Sequence, residues 1–356
     1  MAKVLMKGNE AIGEAAIRAG CLNYFAYPIT PQSEVAEYMA RKLPEKGGVF
    51  LQGESEIAVG YMVFGAAGCG ERVMTTSSGP GISLMSEALS FIACAQLPAV
   101  FVNIMRTGPG LGGILPSQAD YFQAVKGGGH GDYRLIVLAP SSVQEAVEMV
   151  MAAFPLAEKY RNPVMILGDG LIGQMMEPVE FPENLISAPS DKNHWAANGM
   201  DTRKSTERNI VKSLILDPLA MNTHNLMLKE KYDRIRAKEV KFETYNMKKP
   251  YKVLIVSYGT MARVCKTTID MLKEEGLDVA LLRPKTLFPF PEKKIREASG
   301  KAHCKIVLSI EMSMGQMVED VERSVQGNCP VKWYGKCGGE IPPPKELAEM
   351  IKGLKL

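Results

Sequence analysis

The sequence predicts an α/β protein with two units, each built on a parallel sheet. Strand-like and helix-like segments alternate over residues 24–167 and again over residues 251–335, the order in which helices join parallel strands. Residues 99–105 (AVFVNIM) are almost wholly apolar, which is typical of a central parallel strand buried on both faces. We therefore expect helices to cover a parallel sheet in each unit.

A change in composition separates the two units. Prolines at positions 178, 182 and 189 precede a polar run and then a charged amphipathic segment, LKEKYDRIRAKEVKFETY. Such a segment is typical of a solvated helix between folded units. The predicted organisation is a first domain at residues 1–177, a linker with a charged helix at 178–249, and a second domain at 250–356.

The composition excludes several classes of function. A net charge of +3 and an aromatic content of 7% leave no basic patch with interleaved aromatic residues, so nucleic acid is not an expected partner. The first residues lack the apolar segment of a secretory signal, and no apolar run is long enough to span a bilayer, so we expect a cytoplasmic protein with no membrane partner. The seven cysteines include no C-x-x-C pair, which predicts reduced thiols and no zinc or iron–sulfur site on this chain.

The first strands end in segments rich in polar residues. A short strand at residues 24–27 leads into PITPQSE, where two prolines fix an extended corner before a helix at 32–43. Thr30 lies at this corner, either as a helix N-cap or as a functional hydroxyl. The next strand, at 50–51, ends near Glu54 and Glu56.

Two further strands carry similar features at their ends. A helix at residues 57–70 precedes a strand at 73–76, and a Gly-Pro-Gly turn then opens another helix. Arg106 directly follows the apolar run 99–105. Because open α/β sheets bind ligands at the carboxyl ends of their strands, the acid at the strand-to-helix corner is the foremost candidate functional residue.

A glycine-rich stretch follows Arg106, with eight glycines between Gly108 and Gly131. It is too long for a simple connector, and such loops are usually functional or disordered. It contains neither a Walker A motif nor G-x-G-x-x-G at a strand–helix turn, which disfavours a nucleotide-phosphate loop or a Rossmann-type binding protein. Gly168–Asp169–Gly170 is interpreted as a turn after a strand at 164–167 rather than as a metal–diphosphate motif.

Several segments resemble the alpha subunit of 2-oxoacid:ferredoxin oxidoreductases. They are YPITPQSE (27–34), GESEIAVGYMVFGAA (53–67), TSSGPGISLMSEAL (76–89), RTGPGLGGILPSQADYFQ (106–123) and YGTMARV in the second unit. The segments SQADYFQA and KGGGHGDYR resemble in particular the branched-chain type, which acts on 3-methyl-2-oxobutanoate (ketoisovalerate). The resemblance covers essentially the whole chain. It implies a three-layer αβα pyrimidine-binding module for thiamine diphosphate, followed by a smaller transketolase C-terminal-like α/β domain.

The resemblance also implies a reaction and partners. The reaction is the coenzyme A-dependent oxidative decarboxylation of a branched-chain 2-oxoacid to acyl-CoA and CO₂, with electrons passed to ferredoxin. A beta subunit is implied to hold the diphosphate and Mg²⁺ of the shared thiamine diphosphate. Small iron–sulfur subunits are implied to hold the clusters, so that this chain carries no metal site and acts only with its partners.

The resemblance assigns roles to individual residues. Glu56 matches the acid that hydrogen-bonds to the aminopyrimidine ring, with Glu54 as the alternative two residues earlier. Thr30 matches a threonine whose hydroxyl faces the substrate, and Arg106 matches an arginine that pairs with the substrate carboxylate. The other expected cofactor-binding residues are Pro28, Ile29, Ser78 and Gly79.

Two other functions remain open. A 2-oxoglutarate:ferredoxin oxidoreductase would need a further cation for the distal carboxylate, which Lys126, Arg134 or His130 could supply. A non-catalytic scaffold subunit could keep the fold alone, although the presence of Thr30, Glu56 and Arg106 argues against it. The pattern at Glu311, Gly315 and Gln316 also resembles the family, but we assign it no catalytic role.

Overall fold

A seven-stranded sheet forms the centre of the first part of the chain. The structure is a computed structural model and describes residues 3–200 and 206–354. The elements of this part are, in order, β1 (Val4–Lys7), α1 (Gly8–Arg18), β2 (Asn23–Ala26), α2 (Ser33–Glu45), β3 (Val49–Gln52), α3 (Glu56–Gly68), β4 (Val73–Ser77), α4 (Pro80–Leu84), α5 (Ser86–Cys94), β5 (Val100–Met105), α6 (Tyr121–Lys126), β6 (Ile136–Leu138), α7 (Val143–Tyr160), β7 (Val164–Asp169), α8 (Gly170–Gln174), β8 (Met176–Val179) and a 3₁₀ turn at Glu183–Leu185.

A long helix and a five-stranded sheet make up the rest of the described chain. The elements are α9 (Pro218–Lys238), β9 (Phe242–Tyr245), β10 (Val253–Val256), α10 (Gly259–Glu274), β11 (Val279–Pro284), β12 (Thr286–Phe288), α11 (Glu292–Ser299), β13 (Ile306–Glu311), α12 (Met317–Val325), β14 (Val331–Gly335) and α13 (Pro344–Lys352). No helix among the described residues is both long and apolar enough to cross a lipid bilayer.

The large sheet has the strand order β12-β6-β7-β5-β4-β2-β3. Its strands run parallel except for β12, which pairs antiparallel with β6. Every residue of β4, β5, β6 and β7 is buried, as expected for parallel strands covered on both faces. Helix α1 packs against α2 and α7, whereas α3 packs against α4 and α5. The predicted α/β fold with helices covering a parallel sheet is confirmed.

The smaller sheet has the order β14-β13-β10-β11-β9, with only β9 antiparallel to its neighbour. Strand β12 follows β11 directly in the chain but pairs with β6 of the large sheet, where Thr286 lies opposite Leu138. The two sheets are therefore joined by backbone pairing as well as by side-chain packing.

The charged segment after residue 228 differs from the expected solvated helix. Helix α9 ends at Lys238, and the Phe-Glu-Thr-Tyr sequence that follows forms β9, because alternating aromatic and polar residues suit a half-buried strand. One face of α9 is buried through Leu228, Tyr232 and Ile235, which are spaced at helical period. The division of the chain at residues 177 and 249 stays a prediction.

A buried arginine joins the two sheets through ion pairs. Arg283 of β11 donates from Nη1 and Nη2 to the carboxylate of Glu145 on α7, at 2.8 and 2.6 Å, and from Nε to Glu243 at 2.8 Å. Burial alone would raise the pKa of Glu145, but the bidentate contact with Arg283, assisted by Lys285 and Ser141, outweighs it and holds that pKa well below its ordinary value. This cluster is a polar link between the two parts of the molecule.

Replacing Arg283 by methionine removes the guanidinium and leaves the Glu145 carboxylate without its main partner. We expect the free energy of unfolding at pH 7 to fall by about 3–5 kcal/mol, the cost of breaking a buried pair. Urea unfolding followed by circular dichroism measures the loss. The control is Lys229→Met, which breaks an exposed pair with Asp233 and should cost less than about 1 kcal/mol.

The loss should also depend on pH, because the native pKa of Glu145 lies below its unfolded value. The pair contributes its full stability above the unfolded pKa of about 4.3 and loses it as the pH falls towards the native pKa. The difference between wild type and Arg283→Met should therefore shrink between about pH 5 and pH 3. An unchanged difference over this range would mean that Arg283 stabilises through packing alone.

Candidate functional site

The polar loops predicted from the sequence meet at one edge of the large sheet. Strands β2, β4 and β5 are parallel neighbours, so their carboxyl ends lie side by side. The segment after β2 carries Thr30, the turn after β4 carries Ser78 and Gly79, and Arg106 directly follows β5. Helix α3 begins with Glu56 after β3, next to β2.

Glu56 is a buried acid at the first position of α3. Its exposed fraction is 7%, whereas Glu54 is exposed. Ser55 caps the helix by accepting a hydrogen bond from the Ala58 amide at 3.3 Å, which fixes the point where Glu56 leaves the helix. Its carboxylate has no hydrogen bond or ion pair with any described residue. Its oxygens are not among the fully buried unpaired atoms, so the carboxylate faces open space, and this position is suited to a partner from outside the chain.

The glycine turn after β4 keeps the space around Glu56 open. Gly79 has φ +41°, a conformation that residues with a side chain rarely adopt. A Cβ atom at Gly81 would lie 2.1 Å from Ser77 Oγ and 2.8 Å from Glu56 Oε1. The first turn of α4 can therefore approach the Glu56 carboxylate only because position 81 is glycine.

Arg106 is held in place by backbone carbonyls. Its exposed fraction is 8%, and it donates from Nη1 to the Thr30 carbonyl at 2.9 Å and from Nη2 to the Leu111 carbonyl at 3.1 Å. A Cβ at Gly79 would lie 3.5 Å from Arg106 Cγ. No carboxylate of the described residues pairs with the guanidinium, so its charge is available to an anion.

Asp120 lies near enough to Arg106 for the positive charge to act on its pKa, but the two side chains form no ion pair. Its carboxylate accepts a hydrogen bond from Asn103 Nδ2 at 2.9 Å. Burial raises the pKa of Asp120, while the Asn103 hydrogen bond and the positive charge of Arg106 act in the opposite direction. An acid with a raised pKa at this edge could hold a proton during a reaction.

Thr30 is exposed and does not cap α2, because the residue at the cap position is Gln32, without a side-chain capping bond. Of the two roles open from the sequence, the helix cap is therefore wrong. Of the residues before Thr30, Pro28 is exposed and Ile29 is half-buried. The Thr30 carbonyl binds Arg106, so the corner after β2 and the end of β5 hold each other in position.

Several buried polar atoms at this edge have no hydrogen-bond partner among the described residues. They are Thr75 Oγ1, Ser77 Oγ, Ser78 Oγ, Asn103 Oδ1 and Arg106 Nε. Because buried polar groups are nearly always paired, this group indicates a surface that another molecule completes.

Asn103 and Ser77 were not predicted from the sequence. Asn103 is the one polar residue in the apolar run 99–105, and that interruption is the signal that identifies it. Ser77 stands beside the predicted Ser78, and its position at the end of β4 distinguishes it only once the strand boundary is known.

The long loop after Arg106 is anchored on the second sheet. Gln118 is fully buried; its Nε2 donates to the Tyr258 carbonyl at 2.9 Å, and its Oε1 accepts from the Met312 amide at 2.9 Å. Gln316 holds the next part of the loop, donating to the Ala119 carbonyl at 2.6 Å and accepting from the Phe122 amide at 2.8 Å. The second unit thus positions the loop that leads away from Arg106.

Glu311 has a structural role consistent with the absence of a catalytic assignment. Its buried carboxylate accepts hydrogen bonds from the hydroxyls of Ser309 and Ser313 and from the amides of residues 316, 317 and 318. It therefore caps the start of α12, where a negative charge is favourable. Asp169 is the last residue of β7 and caps α8 by accepting hydrogen bonds from the Leu171 and Ile172 amides, so a strand end and a helix start replace the turn predicted at residues 168–170.

The three cations considered for a second substrate carboxylate lie in other contacts. Lys126 pairs with Asp320 at 2.6 Å, and Arg134 donates to the carbonyls of Lys126 and Tyr133. His130 packs edge-on against Phe91. None of the three contacts Thr30, Glu56 or Arg106 in a hydrogen bond or ion pair.

A cavity of about 630 Å³ opens beside Thr30. Apolar side chains line it from the loop after β5, through Ile114 and Leu115, and from α8, through Leu171. The charged residues in its wall are Glu34 and Glu37, and the wall includes no lysine or arginine. The cavity is therefore suited to an uncharged, apolar group. Over residues 3–200 and 206–354, no group of three or more His, Cys, Asp or Glu residues could hold a metal ion.

Comparisons with known proteins agree with this arrangement. The family described as "Pyruvate flavodoxin/ferredoxin oxidoreductase, thiamine diP-bdg" matches residues 14–242, and "Pyruvate:ferredoxin oxidoreductase core domain II" matches residues 252–347. The ketoisovalerate oxidoreductase subunit VorB of Methanothermobacter thermautotrophicus is 47% identical to this chain, over 99% of this chain and 98% of that protein. The 2-oxoglutarate synthase subunit KorA of the same organism is 38% identical over 97% of each protein.

A solved structure is also similar along the whole chain. It is 2-oxoglutarate:ferredoxin oxidoreductase from Magnetococcus marinus, with 2-oxoglutarate, coenzyme A and succinyl-CoA bound. The TM-score is 0.86 at 28% sequence identity, and the match covers 99% of this chain and 65% of that one. These similarities confirm the predicted thiamine diphosphate-binding module and the predicted family.

Proposed function

Since this chain belongs to the 2-oxoacid:ferredoxin oxidoreductase family, we propose that it is the alpha subunit of an enzyme that oxidises 3-methyl-2-oxobutanoate. The products are the acyl-CoA and CO₂, and ferredoxin accepts the electrons. The observation that carries the proposal is the buried Glu56 carboxylate, which has no partner among the described residues and lies at the carboxyl edge of the large sheet.

The residues around Glu56 fit the pyrimidine end of thiamine diphosphate. The buried carboxylate can accept a hydrogen bond from a protonated ring nitrogen or share a proton with it. We assign Ser78, Gly79, Pro28 and Ile29 to the binding of the same cofactor. When bound, thiamine diphosphate supplies the nucleophilic carbon and the electron sink that decarboxylation of a 2-oxoacid requires. Glu56 would hold a proton at its carboxylate and exchange it with the pyrimidine end of the cofactor.

Arg106 is the proposed partner of the substrate carboxylate. Two backbone carbonyls fix the orientation of its guanidinium, and no carboxylate of the described residues neutralises it. Guanidinium and carboxylate groups form charge-assisted pairs of defined geometry. The Thr30 hydroxyl, on the residue whose carbonyl binds Arg106, is available to hydrogen-bond to the substrate.

The cavity beside Thr30 supports a branched-chain substrate. Its apolar lining through Ile114, Leu115 and Leu171 can bury an isopropyl group. Glu37 in the same wall has no ion pair among the described residues and would repel the distal carboxylate of 2-oxoglutarate, whereas Lys7 balances the charge of Glu34 at 3.1 Å. This observation favours 3-methyl-2-oxobutanoate over 2-oxoglutarate, although relatives with each substrate in their names are similar to this chain.

The remaining parts of the reaction require other subunits. We assign the diphosphate and Mg²⁺ to a beta subunit, because no metal-binding group is present among the described residues of this chain. Cys304 and Cys329 lie close together, but no group of three or more potential metal ligands forms among the described residues, so we assign the iron–sulfur clusters to one or more small subunits that pass electrons to ferredoxin. The domain division at residues 177 and 249 and a cytoplasmic location belong to the same proposal.

Replacing Glu56 by glutamine tests its role in proton sharing. The amide keeps the size of the side chain but cannot exchange a proton with the pyrimidine. We expect hydrogen–deuterium exchange at the reactive carbon of bound thiamine diphosphate to slow by about 10²–10⁴-fold in the assembled enzyme. The matched control is Glu54→Gln, at an exposed position two residues away, which should exchange as fast as wild type. Near-wild-type exchange in Glu56→Gln would defeat the assignment.

Replacing Arg106 by alanine tests the substrate-carboxylate site. Loss of a charge-assisted contact costs about 1.5–3 kcal/mol, so KM for 3-methyl-2-oxobutanoate should rise by roughly 10- to 150-fold, while the affinity for thiamine diphosphate stays unchanged. Steady-state kinetics of the assembled enzyme and cofactor titration measure the two quantities. Arg41→Ala, which removes a largely exposed arginine, is the control. If KM is the same in Arg106→Ala and wild type, the substrate carboxylate binds elsewhere.

A further inference from the structure

A second cavity, with a volume of about 790 Å³, lies away from the group formed by Thr30, Glu56 and Arg106. We call that group the Glu56–Arg106 site, and we call the second cavity the basic cavity. Its walls come from the end of α6, Arg134, the end of α9, β9, β12, and helices α11 and α12. None of its lining residues belongs to the Glu56–Arg106 site or to the cavity beside Thr30. A concave site of this size is typical of those that enclose a small-molecule ligand.

The basic cavity concentrates positive charge. Seven lysine and arginine side chains line it, against three carboxylates, an excess of four positive charges. The whole chain has a net charge of only +3. A concave surface lined by charges of one sign focuses the field and attracts oppositely charged ligands, so the cavity is built to receive an anion.

Some of these cations are already paired within the chain. Asp320 binds Lys126 at 2.6 Å and Arg323 at 3.0 Å, and Arg323 also binds Glu292 at 2.7 Å. Lys294 lies 3.6 Å from Glu297. These pairs account for all three carboxylates of the lining.

Three cations of the basic cavity have no carboxylate partner among the described residues. Lys293 makes no hydrogen bond or ion pair there. Arg134 donates only to the carbonyls of Lys126 and Tyr133, and Arg296 donates through Nε to the Ser324 carbonyl at 3.4 Å. Arginine and lysine together are the side chains that bind phosphate groups most effectively. The three charges match a ligand with more than one phosphate.

The other part of the lining is apolar. Eight of its residues are apolar, and Phe290 and Leu287 form part of the floor. Both are buried, so the floor is a fixed surface rather than a set of mobile side chains. A ligand that fits both parts carries a polyanionic group and a flat apolar group.

We propose that the basic cavity binds an adenosine diphosphate group, with its phosphates on Arg134, Lys293 and Arg296 and its base on the apolar floor. The group can come from a free adenine nucleotide or from coenzyme A, which carries an adenosine diphosphate group with a further phosphate. The site does not use Glu56, Thr30 or Arg106, and it stands whether or not the proposed substrate of the enzyme is correct.

Isothermal titration of the full chain with ADP tests the proposal. We expect binding with a Kd of about 1 mM or lower at low salt, weakening as salt is raised because the contacts are ionic. Adenosine and pyrophosphate should each bind more weakly than ADP, because each provides only one part of the ligand. A coenzyme A arm separates the sources: tighter binding of coenzyme A, displaced by ADP, identifies the coenzyme, and weaker binding identifies the free nucleotide.

Charge-reversal variants locate the binding. In the double variant Arg134→Glu, Lys293→Glu, the affinity for ADP should fall by about tenfold or more. Lys345→Glu changes the net charge by two units at an exposed position outside the basic cavity and should bind ADP as wild type does. If the double variant does not fold, as judged by circular dichroism, Arg134→Gln with Lys293→Gln replaces it.

Several separate results would overturn the proposal. Absence of binding by both ADP and coenzyme A overturns it, and so does equal affinity in the double variant and wild type. A loss in Lys345→Glu as large as that in the double variant would show a general charge effect and not a site. Binding must also persist in the assembled enzyme, because its loss there would mean that a partner subunit covers the cavity.

Discussion

The central constraint in this structure is a buried carboxylate that its own chain leaves unpaired. Glu56 is placed at the start of α3 by the Ser55 cap, and the glycine at position 81 keeps the adjacent turn from filling the space beside it. The Glu56 side chain is only 7% exposed, and its unpaired carboxylate lies at the edge of the sheet where ligands bind. A cofactor that donates a hydrogen bond to this carboxylate would bind more tightly because of that contact.

The rest of the molecule positions the groups around this carboxylate. The Arg106 side chain donates a hydrogen bond to the Thr30 carbonyl. This contact joins the end of β5 to the segment that follows β2. The loop that follows Arg106 is fixed on the second sheet through Gln118. The Arg283–Glu145 contact and the pairing of β12 with β6 hold the two sheets together. The second unit thus contributes to the site by holding the loop that follows Arg106.

Much of the fold and of the candidate site could be predicted from local sequence. The apolar run that forms β5 and the strand-to-helix corner at Glu56 each depend on residues close together in the chain, so periodicity and turn chemistry identify them. The exposed position of Glu54 follows from the same local pattern.

Other features depend on residues far apart and could not be predicted in this way. Strand β12 lies about 150 positions from its partner β6, and the two partners of Gln118 lie in separate segments of the second unit. The basic cavity is assembled from several segments between Val125 and Arg323. No single stretch of sequence is unusually basic there, and the excess charge exists only because folding brings these segments together.

A structure of the assembled enzyme with thiamine diphosphate bound would show directly whether Glu56 binds the pyrimidine ring. The account predicts that a carboxylate oxygen of Glu56 lies about 2.6–3.2 Å from a pyrimidine ring nitrogen, with Glu54 remaining in solvent. A pyrimidine ring bound by another side chain, with Glu56 paired to a residue of a partner subunit, would contradict the account.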